Sequence, residues 1–180
     1  MSTSKTCWQS MERHIAKLLG SSRQYGQSAK FSRFHDPSML GDIKTDEFLI
    51  ECKLRDYAPR SFRAKHPRKF YHKFSVKHEW WKGIVKEAAI ANRVPVLVIR
   101  PKFGQDRDMI VMMREDELPY GYAPKIQPNA LHKVLKSSIS LNLSSTFPWG
   151  CVLFNEWVVA LPFQTFLDAV RRKDDPGTTG

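Results

Sequence analysis

Asp42, Glu51 and Lys53 are the residues of this chain whose types and spacing could carry out a reaction. In the run Phe48-Leu49-Ile50-Glu51-Cys52-Lys53-Leu54, the residues Ile50, Cys52 and Leu54 alternate with Glu51 and Lys53, the period of a β-strand. With Ile50, Cys52 and Leu54 turned to the core, Glu51 and Lys53 emerge together on the other face, about 6–7 Å apart. Asp42, in the Gly41-Asp42 pair, precedes Glu51 by the span of a hairpin and can return beside it. Two carboxylates and an ammonium at a sheet edge can hold a divalent cation and a water molecule. Mg²⁺ is satisfied by one or two carboxylates together with waters and phosphate oxygens. When bound, it polarises a phosphoryl oxygen and acidifies water. Phosphodiester hydrolysis needs a barrier reduction toward the upper end of about 8–23 kcal/mol, and one well-placed donor supplies roughly 3–4 kcal/mol. Lys53 alone is therefore insufficient, and the set of residues requires a metal.

A Glu-x-Lys triplet on the solvent face of a strand is also ordinary surface chemistry. This one is set apart because it lies inside an apolar strand, follows a Gly-Asp turn at hairpin distance, and is the sole Glu-x-Lys of the sequence. The charge around it points the same way. Lys and Arg total 29 against 18 Asp and Glu, a net charge of +11, which favours a polyanionic partner, nucleic acid before an acidic membrane surface. From Lys53 to Lys77 the cations Lys53, Arg55, Arg60, Arg63, Lys65, Arg68, Lys69, Lys73 and Lys77 accompany a single acid, Asp56. Tyr57, Phe62, Phe70, Tyr71 and Phe74 are interleaved with them. Phosphate neutralisation and base stacking by aromatics together make a nucleic-acid-binding stretch, although the aromatics would equally pin a long mobile connection to the core.

The elements that must position these residues read as follows. Trp8, Met11, Ile15 and Leu18/Leu19 recur at helical spacing with Gly20 as the stop, and Glu12 borders that stripe. Residues 21–33 are polar and read as a loop, and residues 36–41 as turn material leading into the hairpin. Trp81, Ile84, Val85, Ala88 and Ala89 form a second helical stripe ending near Asn92, since Pro95 pushes its predecessor toward extended geometry. Val94 to Ile99 is the aliphatic run of a strand covered on both faces, with Met109 to Met113 as an edge partner. From Glu115 to Pro148 come four prolines, a short helical candidate at Leu131 to Leu135 and an alternating stretch from Ser138 to Asn142, followed by a hairpin turning at Asn155-Glu156. A final helix carries Phe163, Phe166, Leu167 and Val170. Strand, helix, buried strand is a βαβ-like order and implies an α/β (α+β) fold with a central mixed sheet flanked by helices. The expected organisation is one domain over residues 1–180, its core motif region at about 8–113 and its C-terminal hairpin and helix at 151–172 packed on it.

Other chemistries find less support. No stretch approaches the roughly 20 apolar residues of a membrane span, and the N-terminus lacks the apolar core of a signal peptide. Cys7, Cys52 and Cys151 are odd in number and scattered, which suits a reducing compartment. A cytoplasmic location is expected, including that of a phage protein in its host's cytoplasm. The sequence has no Cys-x-x-Cys, no His pair at zinc spacing, no Walker-type glycine loop and no nucleophile elbow.

Gly41-Asp42 followed by Ile50-Glu51-Cys52-Lys53 resembles the core motif of the PD-(D/E)XK nuclease superfamily. The helix with Glu12, and the helix and strand from Trp80 to Arg100, look like those of the archaeal-type and phage-encoded Holliday-junction resolvases within it. The resemblance is clearest from about Met11 to Arg100. Gly41 stands where the motif name has Pro, which leaves the chemistry unaltered. The resemblance implies a restriction-endonuclease-like core, Glu12, Asp42, Glu51 and Lys53 as the active site, and Asp42 and Glu51 as ligands of Mg²⁺, with Mn²⁺ as a substitute. It further implies DNA, in particular a four-way junction, as substrate, with Arg55, Arg60, Arg63, Lys65, Arg68, Lys69 and Lys73 contacting it. Arg100 or Lys102 could assist, though a charge at a strand end is more simply a solvated one. Two symmetric cuts in a junction imply a homodimer. A restriction- or repair-type nuclease acting on duplex ends or flaps, and a non-catalytic basic binding module, are the competing expectations.

Overall fold

The structure, a computed structural model, describes residues 4–21, 40–55, 73–101, 109–119, 134–135, 138–142, 149–153 and 156–174. Helix α1 (Ser4–Leu18) turns Met11, Ile15 and Ala16 inward and ends at Gly20, whose φ of +63° a side chain would oppose. Trp8 departs from the expected stripe. Its ring is 37 % exposed, because Met11 and Ile15 take the places against the sheet while the indole stands beside the Lys53 ammonium.

Strand β1 (Ile43–Lys44) pairs antiparallel with β2 (Phe48–Arg55), Ile43 opposite Ile50, so the Gly41-Asp42 hairpin forms as expected. After β3 (Lys73–Lys77) comes helix α2 (His78–Ala91), closed by Asn92 in the left-handed conformation, φ 51°. It leads into β4 (Val94–Pro101), which runs parallel to β2 with Glu51 opposite Leu97, the crossover anticipated from the strand–helix–strand order. Antiparallel β5 (Ile110–Arg114) joins β4, and a 3₁₀ turn (Glu115–Glu117) follows it. Strands β6 (Val134–Leu135), β7 (Ser138–Asn142), β8 (Trp149–Leu153) and β9 (Glu156–Pro162) precede helix α3 (Phe163–Asp174).

The six-stranded mixed sheet has the order β1-β2-β4-β5-β9-β8. β5 is thus interior rather than the edge expected of Met109–Met113, because β9 covers it along its length. Alternation along the strands divides the core in two. Leu49, Leu97, Ile99, Met112 and Ala160 pack under α2 through Trp81, Ile84 and Ala88. Ile50, Cys52, Val96, Val98, Val111 and Leu161 pack under α1 and α3 through Met11, Ile15, Phe163 and Phe166. Burial of each large apolar side chain contributes about 1.5–3 kcal/mol, so the two-sided core holds β2 and β4 rigidly. Glu51 and Lys53 emerge on the face opposite Ile50 and Cys52, and both are partly buried there. They share a face with Leu49, which α2 covers, and they stand where that cover ends.

A second sheet has the order β3-β7-β6, all antiparallel. Two expectations fail here. Val134 and Leu135 form a strand rather than part of a helix, because pairing with Ser138 and Ile139 satisfies their backbone. The segment read as a mobile connection from Lys53 to Lys77 is strand at both ends, to Arg55 and from Lys73. Among the described residues no helix is long and apolar enough to cross a membrane.

Candidate functional site

β1 is so short that it ends where β2 reaches Glu51, leaving the following backbone of β2 without a strand on that side. The Asp42 side chain takes the vacant place. Its N–H donates to the Ile50 carbonyl at 2.9 Å, continuing the ladder, and its Oδ2 accepts the Cys52 N–H at 2.8 Å. The sheet thereby ends in a carboxylate. Gly41 makes the turn possible. Its φ is +68°, and a Cβ there would lie 2.8 Å from Leu49 Cγ and 3.3 Å from the Ile50 carbonyl oxygen. Its N–H donates to Glu87 Oε2 at 2.9 Å, which ties the turn to α2.

Glu12, Glu51 and Lys53 all lie within electrostatic reach of Asp42. Asp42 is 7 % exposed and Glu12, reaching in from α1, 2 % exposed. Glu51 and Lys53 form an ion pair, with side chains 13 % and 20 % exposed. Burial, then the charge of Glu51, then that of Glu12, push the Asp42 carboxyl well above its ordinary value. The Cys52 N–H and the Lys53 ammonium act against that rise without cancelling it. The Cys52 thiol, fully buried beneath the cluster, is pushed up by burial and by the charges of Asp42, Glu12 and Glu51, so it is an inert core thiol rather than a nucleophile.

Glu12, Glu51 and Lys53 stand around Asp42, and carboxylate oxygens are the donors that a hard divalent cation takes. Among the described residues no three His, Cys, Asp or Glu side chains are grouped so as to hold a metal by themselves. Of the charged neighbours of Asp42, Glu51 acts on it most strongly. Of the expected DNA contacts, Arg60, Arg63, Lys65, Arg68 and Lys69 lie outside the described residues, as does Lys102. Arg55 ends β2 and Lys73 opens β3, while Arg100 stands opposite Leu54 in the parallel register.

Sequence reasoning passed over two features. The Lys53 ammonium lies 5.7 Å from the centroid of the Trp8 ring and 6.0 Å from that of Trp80, within cation–π range of both. A second polar cluster joins β5, the 3₁₀ turn and β9. Arg114 Nε and Nη2 donate to Glu156 at 3.2 and 3.0 Å, its Nη1 donates to Glu117 at 3.2 Å, and Trp81 Nε1 donates to Glu156 at 3.1 Å. Neither feature has a local signature, since each assembles from segments far apart in the sequence. Comparison with protein-family models, with curated proteins and with solved structures finds no match to this chain.

Proposed function

We propose that this protein is a Mg²⁺-dependent DNA endonuclease of the PD-(D/E)XK type with a restriction-endonuclease-like core, acting on four-way or other branched DNA as a homodimer. The observation that carries the reading is the convergence of Glu12, Asp42, Glu51 and Lys53 from three separate segments. Burial first, then the charges of Glu51 and Glu12, raise the carboxyl of Asp42 there. Such an arrangement costs stability, and a site that must recruit a cation and a phosphate gives it a purpose.

In this reading Asp42 and Glu51 hold the cation and Lys53 faces the phosphate, where its ammonium offsets developing negative charge or orients the attacking water. Glu12 adds charge that favours a dication over a proton on Asp42. The bound Mg²⁺ would supply Lewis-acid polarisation of the phosphoryl oxygen and a more acidic water. The Cys52 N–H fixes the Asp42 carboxylate, so no side-chain entropy need be lost on binding. Rigid β2 and β4 keep Glu51 and Lys53 in register with it.

Cleavage of a four-way junction and of a linear duplex of the same sequences, each with and without Mg²⁺, tests the proposal. Mg²⁺-dependent cutting of the junction alone is the expected result. Equal cutting of both would make this a general nuclease on ends or flaps, and no cutting of either would leave the basic binding module. Both DNA-binding readings require steep salt dependence, a loss of about 10³–10⁵ in affinity between 50 and 200 mM salt if 6–10 phosphates are neutralised.

A further inference from the structure

We propose that Trp8 and Trp80 are positioning residues that hold the Lys53 ammonium on two indole faces, fixing it for the phosphate without neutralising it. The inference rests on the hydrolytic reading of the same site and adds what that reading leaves open, how its lysine is held.

Trp8 comes from α1 and Trp80 from α2, helices that cover opposite faces of the sheet. The Lys53 ammonium lies over both rings, 5.7 and 6.0 Å from their centroids. The face of an indole is the negative end of its quadrupole and attracts an ammonium within about 6 Å, more strongly than Phe or Tyr does. The attraction grows as water is excluded, and the Lys53 side chain is only 20 % exposed. A further partner of that ammonium is the Glu51 carboxylate. In the proposed reading Glu51 is a ligand of the cation, and one carboxylate cannot give its full charge to the cation and to the lysine together. An acid dedicated to Lys53 would in turn cancel the charge that the phosphate requires. An indole carries no net charge, so it can fix the end of a flexible four-carbon stem and leave the ammonium fully positive. The two rings do this from different settings. Trp80 packs on the core beneath α2 and has the Lys77 ammonium over it as well, at 6.0 Å, so it is a fixed wall. Trp8 sits on a helix that buries Met11 and Ile15 completely, yet it stays 37 % exposed, held at the Lys53 ammonium rather than against the sheet.

The test compares the full wild-type chain with Trp8→Leu, Trp80→Leu, Trp8→Phe and Trp80→Phe. Leu keeps apolar packing without the ring, Phe keeps a weaker π face, and circular dichroism confirms that each variant is folded. The first readout is proton–carbon NMR in EDTA, with the Lys53 ε-methylene resonance identified by its disappearance in Lys53→Met. Ring currents should place that resonance upfield of the other lysines. Each Leu substitution should move it back toward them, and each Phe should keep part of the shift. The second readout is single-turnover cleavage of a four-way junction in Mg²⁺. Each Leu variant should lose about 2- to 30-fold in rate with junction affinity within about twofold, and Phe should restore most of the rate. A Lys53 resonance among the other lysines in the wild type, or one that neither Leu substitution moves, overturns the proposal even if cleavage is intact. A loss that falls on junction affinity rather than on rate, or no loss in either Leu variant, overturns it as well. Ring-dependent shifts in a protein that cuts nothing uphold the indole seat of Lys53 and overturn the hydrolytic reading instead.

Discussion

Two clusters of carboxylates stand among the described residues, and they differ in the cation each holds. At Arg114 the guanidinium donates to Glu156 through two nitrogens and to Glu117 through the third, while the Trp81 indole N–H donates to Glu156 as well. Hydrogen bonding to Arg114 draws Glu156 below the ordinary carboxylate range, while burial pushes Glu117 above it. Beside Cys52 the carboxylates of Glu12, Asp42 and Glu51 stand with Lys53 in a more buried setting, and burial and like charge drive Asp42 upward. The first cluster carries its own cation and contributes to stability. In the proposed reading the second takes its cation from outside, which is how a functional site would differ from a structural ion pair in electrostatic terms.

The largest expected effect separates the two clusters by activity. Asp42→Asn should reduce Mg²⁺-dependent cleavage at least about 10³-fold, corresponding to about 4 kcal/mol of barrier, with DNA binding equal or tighter because a negative charge near phosphate is gone. Glu156→Ala should leave cleavage within a few-fold. Steady-state cleavage and gel-shift assays on both variants check this, and equal losses in the two would erase the distinction.

Next in size is the turn that delivers Asp42. Gly41→Ala must accept φ +68° and a Cβ 2.8 Å from Leu49 Cγ. The left-handed backbone costs roughly 1–2 kcal/mol and the overpacking roughly 1–3 kcal/mol, so a chemical-denaturation loss of about 2–5 kcal/mol is expected. Glu156→Ala comes third. Its hydrogen bonds are charge-assisted, but with the side chain one-third exposed they are worth about 1–2 kcal/mol. In a chain of this size the melting temperature should fall about 2–4 °C per kcal/mol.

The smallest effect, and the sharpest in sign, is pH dependence. The folded-state pKa of Asp42 lies above its unfolded value near 3.8. Its contribution to stability is therefore complete below that value and lost as pH rises through the folded pKa. Glu156, depressed from 4.5, behaves oppositely, and its contribution is lost as pH falls through its folded pKa. Thermal melts in EDTA should show Asp42→Asn removing the alkaline-side loss and Glu156→Ala removing the acid-side one. Identical profiles for the two variants would contradict the assignment.

Much of this site was legible beforehand, because its parts are local. The alternation of Ile50, Glu51, Cys52 and Lys53 places both charged residues on one face of β2, and the loop length from Asp42 brings it back beside them. The periods of Met11 and Ile15, and of Trp81, Ile84 and Ala88, gave the two helices. What escaped was non-local. Arg114 meets Glu156 only because β9 pairs with β5. The paired rings around Lys53 need both helices in place. Val134 and Leu135 look helical until β7 supplies a partner. The apolar stripe of α1 also misassigned Trp8, since periodicity ranks residues by side and cannot tell which end of a stripe overhangs the sheet.

The measurement that bears most directly on the central claim is Mn²⁺ titration followed by electron paramagnetic resonance, on wild type, Asp42→Asn, Glu51→Gln and Glu156→Ala. The account predicts saturable binding to wild type and Glu156→Ala, and its loss in both Asp42→Asn and Glu51→Gln. Undiminished Mn²⁺ binding after either of those two substitutions would contradict it.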